Sequence, residues 1–267
     1  MESTEDEPYF AAIAAGGLGT RRSDWSRYLP KEYFPVEGRP GIVLLLEEVA
    51  ELGNVQAAMV HHPYYSPFAA WASRVLNMPD AYDRMTGAAR PTRTSTRISV
   101  DLIAQHGPYS DITSVLNADD HLGRPGALYV LYSDNLYPDA NPVRLLRGSA
   151  AETAVIARPY TRDQAARRGV LVCDNGYVLR VVEKPDGPTA QELETRHGSG
   201  NLALLEGRVR AGRAFLDYLH AYRCPRGTAD EPKLSLALSS YAQTAPVRIR
   251  RIDTPVTDLG APLPSAC

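Results

Sequence analysis

The sequence predicts an α/β fold with a mixed, mostly parallel central sheet flanked by helices, and three features carry the prediction. The apolar run Tyr9–Ala15 has strand length and breaks into a glycine loop, Gly16-Gly17-Leu18-Gly19. A helical stretch follows Pro40, with Leu44, Leu45, Glu48, Val49 and Leu52 at helical spacing and Gly53 as its stop. A second buried run at 55–60 completes a strand, helix, strand unit of the kind that builds parallel sheets.

Further along, a helix is expected around 67–77, followed by an Arg- and Thr-rich loop that reaches residue 97. Ala127–Tyr132 is an apolar strand that delivers Ser133-Asp134-Asn135 at its C-terminal end, where open α/β sheets bind ligands. The runs 170–173 and 177–182 flank Asp174-Asn175-Gly176, a strong hairpin signal, and the hairpin leads into Glu183-Lys184-Pro185. A strand at 202–205, helices at 214–222 and 234–242, and a strand at 247–252 complete the elements before Asp258-Leu259-Gly260. With no internal repeat, low-complexity segment or linker, the 267 residues are expected to form one domain, 1–267.

Composition narrows the function. The chain is 44% hydrophobic with a net charge of -2, which lacks the basic excess of a nucleic-acid binder. Apolar runs such as 42–46 are too short to span a bilayer, and the acidic start is the wrong charge for a signal peptide, so no membrane association and a cytoplasmic location are expected. Cys173, Cys224 and Cys267 are widely spaced and read as free thiols, and the scattered histidines offer no ligand spacing. Of 29 basic residues only Lys31, Lys184 and Lys233 are lysines. Where arginine serves nearly everywhere, a retained lysine hints at a site that needs a compact ammonium.

A glycine loop after the first strand lets backbone N–H groups approach phosphate oxygens, and a neighbouring arginine can hold the same oxygens. A tight turn needs glycine too, so the loop alone is weak. A dinucleotide fingerprint is disfavoured because Arg22 stands where its third glycine would be, and no Walker lysine follows the loop. Arg21, Arg22, Arg27 and Lys31 come soon after, so several cations can converge on a triphosphate.

At this point a resemblance emerges. Gly17-Leu18-Gly19-Thr20-Arg21, then Pro30-Lys31-Glu32 and Pro35, resemble the N-terminal signature of sugar-phosphate nucleotidyltransferases, particularly the bacterial UTP–glucose-1-phosphate uridylyltransferases. In the same order, Gln105, Ser133-Asp134-Asn135, Val182-Glu183-Lys184-Pro185, Gly200-Asn201-Leu202-Ala203 with Gly207-Arg208, and Asp258-Leu259-Gly260 look like that family's later elements. The resemblance implies a Rossmann-like nucleotidyltransferase fold and a Mg²⁺ cofactor, with a nucleoside triphosphate (UTP first) and a sugar 1-phosphate (glucose 1-phosphate first) as partners. Carried over residue by residue, it implies Arg21, Lys31, Asp134 and Lys184 in catalysis, and Ala15, Gly16, Gly17, Gly19, Thr20 and Gln105 at the nucleotide. It also implies Gly169, Glu183, Lys184 and Asn201 at the sugar phosphate, and Asp134 with Asp258 at the metal.

Three departures qualify the substrate. Ser110 to Ser114 replace a glycine-rich base-binding loop, so Asp111 is expected to reach a base edge or ribose. Arg27 stands for an expected lysine, and as the chain stops soon after Asp258, oligomer contacts that the family's C-terminal helix would carry are expected to be missing, which leaves homo-oligomerisation open. Another base such as dTTP or GTP, with a modified sugar or cyclitol phosphate, is the nearby alternative. A non-catalytic nucleotide-sugar-binding protein is the rival of another class.

Overall fold

A computed structural model describes residues 7–19, 29–36, 38–78, 98–222 and 232–260. The strands are β1 (Tyr9–Ala15), β2 (Pro35–Val36), β3 (Arg39–Pro40), β4 (Val55–His61), β5 (Ile98–Ala104), β6 (Ala127–Tyr132), β7 (Asn135–Leu136), β8 (Thr153–Pro159), β9 (Gly169–Asp174), β10 (Tyr177–Glu183), β11 (Leu202–Gly212), β12 (Val247–Arg251) and β13 (Thr257–Asp258). The helices are α1 (Gly41–Ala50), α2 (Ser66–Leu76), α3 (Asp111–His121), α4 (Pro142–Leu145), α5 (Arg162–Ala165), α6 (Gly187–His197), α7 (Arg213–Ala221) and α8 (Leu234–Tyr241).

A nine-stranded sheet in the order β5-β4-β1-β6-β11-β8-β12-β10-β9 forms the centre. It is mixed: β5, β4, β1 and β6 are mutually parallel, β8 and β12 are parallel to each other, and only β11 and β10 run against their neighbours. β11 also pairs with β9, so the last five strands of the sheet close into a ring of pairings. The chain winds from β1 out to β4 and β5, then returns to the other side of β1 as β6. The crevice beyond the C-terminal ends of β1 and β6 is therefore a topological switch point, where open α/β sheets bind ligands.

Small residues in β1 let helices cover both faces. Ala12 packs with Ile112 and Val115 of α3, Phe215 and Leu216 of α7, and Leu238 of α8. Ala11, Ile13 and Ala15 face the opposite layer, built on Ile42, Leu45, Leu46 and Val49 of α1. A third cluster joins α5 and α6 to β9 and β11 through Ala165, Ala190, Leu193, Val172 and Leu204. Gly41 lets α1 start close to the site, since a Cβ there would stand 2.9 Å from Leu136 Cδ1 and 3.0 Å from the Glu32 carbonyl oxygen.

The hairpin turn is as expected: Asn175 and Gly176 have φ of 47° and 81°, the left-handed pair that a two-residue hairpin loop requires. Cys173 is a buried free thiol, as read from the sequence, and burial pushes it up to about 11. Four elements of seven or more residues were not expected, β5, β8, α3 and α6, nor were the short pieces β2, β3, β7, β13, α4 and α5. The expected strand at 202–205 is also too short, because β11 runs on to Gly212 through Glu206, Arg208 and Arg210, all fully buried charges. The Arg- and Thr-rich loop lies largely outside the described residues. No helix among the described residues is long and apolar enough to cross a membrane.

Asp119 ties α3 to α7. Its buried carboxylate accepts from both terminal nitrogens of Arg213 at 2.9 Å and from His220 Nε2 at 2.8 Å. Burial would raise this carboxyl, but these hydrogen bonds outweigh burial and hold it below its usual 3.8. The stabilisation is therefore full above that value and is lost as pH falls through the folded-state value. Asp119→Asn is expected to cost about 2 kcal/mol at neutral pH, discounted from a fully buried pair because its partners are partly exposed. Urea denaturation should show this loss shrinking below pH 4; a loss independent of pH would contradict the ion-pair account.

Candidate active site

The site grows from the two strand ends at the switch point. Ser133, just after β6, donates its hydroxyl to the Ala14 carbonyl of β1 at 2.7 Å, which stitches the ends together. Gly16 follows β1 and passes so close to Gln105 that a Cβ would lie 2.5 Å from its Oε1; any larger residue would displace the Gln105 amide. Gly17 faces the Lys31 side chain, and a Cβ there would lie 3.6 Å from Cε and Nζ. Gly19 has φ 60°, so the glycine loop uses the left-handed region there. Ala15 points its methyl into the α1 layer, so only its backbone is available to a ligand. Thr20, Arg21, Arg22 and Arg27 lie outside the described residues.

Lys31 starts a short 3-10 turn, Lys31–Tyr33, and its Nζ donates to Asp134 Oδ2 at 2.6 Å. Burial would lower the ammonium, but Asp134, Glu32 and Asp258 together raise it, so Lys31 stays charged. Burial likewise works to raise the Asp134 carboxyl, and Lys31 overrides it. Next to Lys31, burial pushes the Glu32 carboxyl up to about 7 against the pull of Lys31 and of Ser133, whose hydroxyl oxygen lies 2.7 Å from Glu32 Oε1 and whose one proton is shared between that oxygen and the Ala14 carbonyl. Sequence reasoning gave Glu32 no role; its only signal was its place beside Lys31.

Asp134 is held from three further directions. Asn135 Nδ2 donates to Oδ1 at 2.7 Å, and Arg168 Nη1 donates to the Asn135 side-chain oxygen at 3.1 Å. Antiparallel pairing of β7 with β13 sets Asp258 opposite Asn135, and the Leu259 N–H donates to the Asp134 carbonyl at 2.8 Å. The segments that carry Asp134 and Asp258 thus lie side by side, and the Asp258 side chain accepts from the Gly260 N–H at 2.7 Å. Behind them the wholly buried Arg208 uses all five N–H groups. It grips both oxygens of Glu48 at 2.8 and 2.7 Å, and the carbonyls of Tyr132 at 3.1 Å, Gly207 at 2.9 Å and Asn135 at 2.7 Å.

Two clefts meet at this point, sharing Asp111, Tyr132 and Asp134. The first is lined by Gly16, Gly17, Lys31, Gln105 and Tyr109, and the second by Asn135, Arg168, Gly169, Glu183, Lys184 and Lys233. Of the expected residues, Gly16, Gly17, Lys31 and Gln105 line the first cleft, Gly169, Glu183 and Lys184 the second, and Asp111 and Asp134 both, while Asp258 lines neither. Gly169 is needed where it stands, because a Cβ would meet Val181 at 3.2 Å and Glu183 Oε2 at 3.3 Å. Lys184 sits at φ 45°, a backbone strain of order 1 kcal/mol that other contacts must support.

Three expectations are corrected. Residues 111–121 form helix α3, not a loop, because the Ser110 hydroxyl oxygen accepts from the Ile112 and Thr113 N–H groups as an N-cap. Asp111 accordingly acts as a strut: Tyr132 donates its hydroxyl to Oδ2 at 2.7 Å and the Leu234 N–H donates to Oδ1 at 2.9 Å. Asn201 is not brought to the cleft, since its side chain donates to the His197 carbonyl at the end of α6 and stays exposed. Gln105 lines the first cleft, yet its amide is engaged by the Pro108 and Ser110 carbonyls at 3.3 Å each and by Ser114 at 3.2 Å, so it shapes the 105–110 loop.

Comparison with known proteins agrees with this architecture. The family model described as Nucleotidyl transferase matches residues 10–201. A protein of Bacillus subtilis (strain 168), provisionally named UTP–glucose-1-phosphate uridylyltransferase, is 46% identical over 50 residues, a stretch that spans 19% of this chain and 18% of that relative. A UDP-glucose pyrophosphorylase solved with UDP-glucose superposes with a TM-score of 0.75 at 18% identity, covering 96% of this chain and 94% of its own. The inositol-1-phosphate CTP transferase of T. maritima superposes with a TM-score of 0.67 at 11% identity, covering 97% and 92% respectively. At these identities the structural likeness speaks for the fold.

The Lys31–Asp134 pair yields a direct expectation. In Lys31→Met the Asp134 carboxyl loses its nearest cation while keeping its burial, so it should titrate above its value in the unmodified chain. Carbon-detected NMR of the carboxylates reads this; an unmoved Asp134 would show that the pair does not form in solution.

Proposed function

The chain belongs to the nucleotidyl transferase family, and from that premise we propose that it transfers a nucleotidyl group from a nucleoside triphosphate to a sugar 1-phosphate, with UTP and glucose 1-phosphate as the first pair to consider. The observation that carries this is the junction of two clefts at Asp134, one holding the glycine loop with Lys31 and the other holding Lys184. Two ligands can be seated there with their phosphates facing each other. The printed names of similar proteins, a UTP–glucose-1-phosphate uridylyltransferase and a UDP-glucose pyrophosphorylase, support the first choice of pair.

In the proposed reaction an oxygen of the acceptor phosphate bonds to the α-phosphorus of the triphosphate. The bond from that phosphorus to its bridging oxygen breaks, and pyrophosphate leaves with the electron pair. The difficulty is bringing two polyanions together, so positive charge and alignment are what the protein must supply. The backbone around Gly16 and Gly17 can approach the triphosphate closely, and Lys31 adds an ammonium to it. Lys184 grips the acceptor phosphate as a point charge, while Glu183 accepts hydrogen bonds from sugar hydroxyls. Arg21, outside the described residues, is assigned to the triphosphate by resemblance.

The carboxylates of Asp134 and Asp258 are hard oxygen donors on two segments that backbone pairing sets side by side, and oxygen donors of this kind suit Mg²⁺. When bound, the cation would neutralise phosphate charge at the reacting centre. Lys31, already hydrogen-bonded to Asp134, keeps that carboxylate deprotonated and aimed at the junction. The choice of base is less supported than the reaction class, because helix α3 stands where the resemblance implies a base-binding loop. Likeness to a CTP-using inositol-phosphate enzyme keeps another base, or a cyclitol acceptor, as the second reading.

Two results are expected. Pyrophosphate release should require UTP, glucose 1-phosphate and Mg²⁺ together and stop when the cation is chelated. Release with a different pair would change the substrates, and tight nucleotide binding with no release from any pair would mean a binding protein. Asp134→Asn should lower turnover roughly 10²- to 10³-fold with an unchanged circular dichroism spectrum; near-normal turnover would show that Asp134 is misassigned.

A further inference from the structure

All three lysines of this arginine-rich chain line the joined clefts: Lys31 in the first, Lys184 and Lys233 in the second. Lys233 immediately precedes α8, and its side chain makes no helix cap. Instead its Nζ lies 3.7 Å from Glu183 Oε1, while Lys184 Nζ lies 3.9 Å from the same oxygen. Both separations are well beyond the roughly 2.7–2.9 Å of a charge-assisted hydrogen bond. Glu183 therefore draws two ammonium groups to one place without tying up their donors. Its other oxygen is occupied, accepting from the Ser235 hydroxyl at 2.8 Å. The two ammoniums are no more than about 7.6 Å apart, because each is within reach of one shared atom, and a phosphate that accepts from both on opposite oxygens spans about that distance.

We propose that Lys233 and Lys184 form a two-ammonium clamp on the phosphate of the acceptor, making Lys233 a second phosphate-binding residue. The inference rests on the second cleft being the acceptor side. A phosphate monoester carries nearly two negative charges at neutral pH, so a single lysine leaves about half of that charge unmatched. Arg168 lines the same cleft, but its Nη1 is committed to Glu206 at 2.9 Å and Asn135 at 3.1 Å. A compact ammonium with three rotatable donors suits a tetrahedral anion approached from a crowded wall, which accounts for lysine at a position where this chain otherwise uses arginine. When the phosphate binds, it takes both ammoniums from Glu183 Oε1 and frees that oxygen to accept from a sugar hydroxyl. Phosphate and sugar ring are thus recognised by one linked set of groups.

Inorganic phosphate is the probe, titrated into the full chain at pH 8 and followed by calorimetry and phosphorus NMR line width. Lys233→Ala, Lys233→Gln and Lys184→Ala should each weaken its binding roughly 10-fold or more, whereas Arg196→Ala, on the far surface of α6, should not. In turnover, Lys233→Ala should raise KM for the sugar phosphate by a similar factor and leave KM for the nucleotide within twofold, with folding checked by thermal melting. Phosphate binding that is unchanged in the Lys233 variants, or absent in the unmodified chain, would overturn the clamp. Phosphate binding that depends on Lys233, in a chain that releases no pyrophosphate from any substrate pair, would keep the clamp and refute the transferase reading.

Discussion

The site depends on one buried guanidinium. Taking an arginine out of water costs several kcal/mol unless its charge is paired and every donor is met. Arg208 is fully buried with each of its five N–H groups satisfied, two by Glu48 of α1 and three by backbone carbonyls. Those carbonyls belong to Tyr132, Asn135 and Gly207, so the guanidinium brackets Asp134 from both sides of its turn. Because the planar fork dictates where the acceptors must lie, satisfying Arg208 and placing Asp134 are one geometric problem. Lysine could match the charge, but its single ammonium could not meet five acceptors spread over four elements.

From that anchor the electrostatics extend outward in alternating sign. Glu206, also buried, accepts from Arg158 at 2.6 Å, Arg168 at 2.9 Å and Tyr137 at 2.8 Å. Arg168 then reaches Asn135, Asn135 reaches Asp134, and Asp134 meets Lys31. Each group in this series is fixed by the next, so Asp134 is held in place at the junction before a ligand arrives. Preorganised charge of this kind is what a reaction between two phosphates needs. Glu32 is the exception: held near neutrality by burial, it pairs with Ser133 at the strand ends and faces no cleft.

Much of this was legible in the sequence, for identifiable reasons. β1, β6 and the β9–β10 hairpin are apolar runs, broken only by Arg180, with turn chemistry at their ends, and their C-terminal loops carry Gly16, Asp134 and Lys184. β11 was read too short because Glu206, Arg208 and Arg210 look like surface residues. They are buried only because partners as distant as Glu48, 160 positions away, neutralise them. β5 was missed because its outward Ser99 and Asp101 break the apolar run. The start of α3 carried a local signal, the Ser110 cap followed by Asp111, that the resemblance to a loop overrode. Asn201 was assigned by resemblance alone, and local packing turned it toward His197. Lys233 was visible in the scarcity of lysine, but only the fold shows that all three lysines converge.

The account turns on the two clefts sharing their reacting ends at Asp134. Crystallography of the chain with a non-reactive UTP analogue and glucose 1-phosphate tests this most directly. The predicted result has the triphosphate over Gly16 and Gly17 beside Lys31, the sugar phosphate beside Lys184, and the two phosphates nearest each other at Asp134. A nucleotide seated in the second cleft, or two ligands whose phosphates lie apart with Asp134 touching neither, would contradict it.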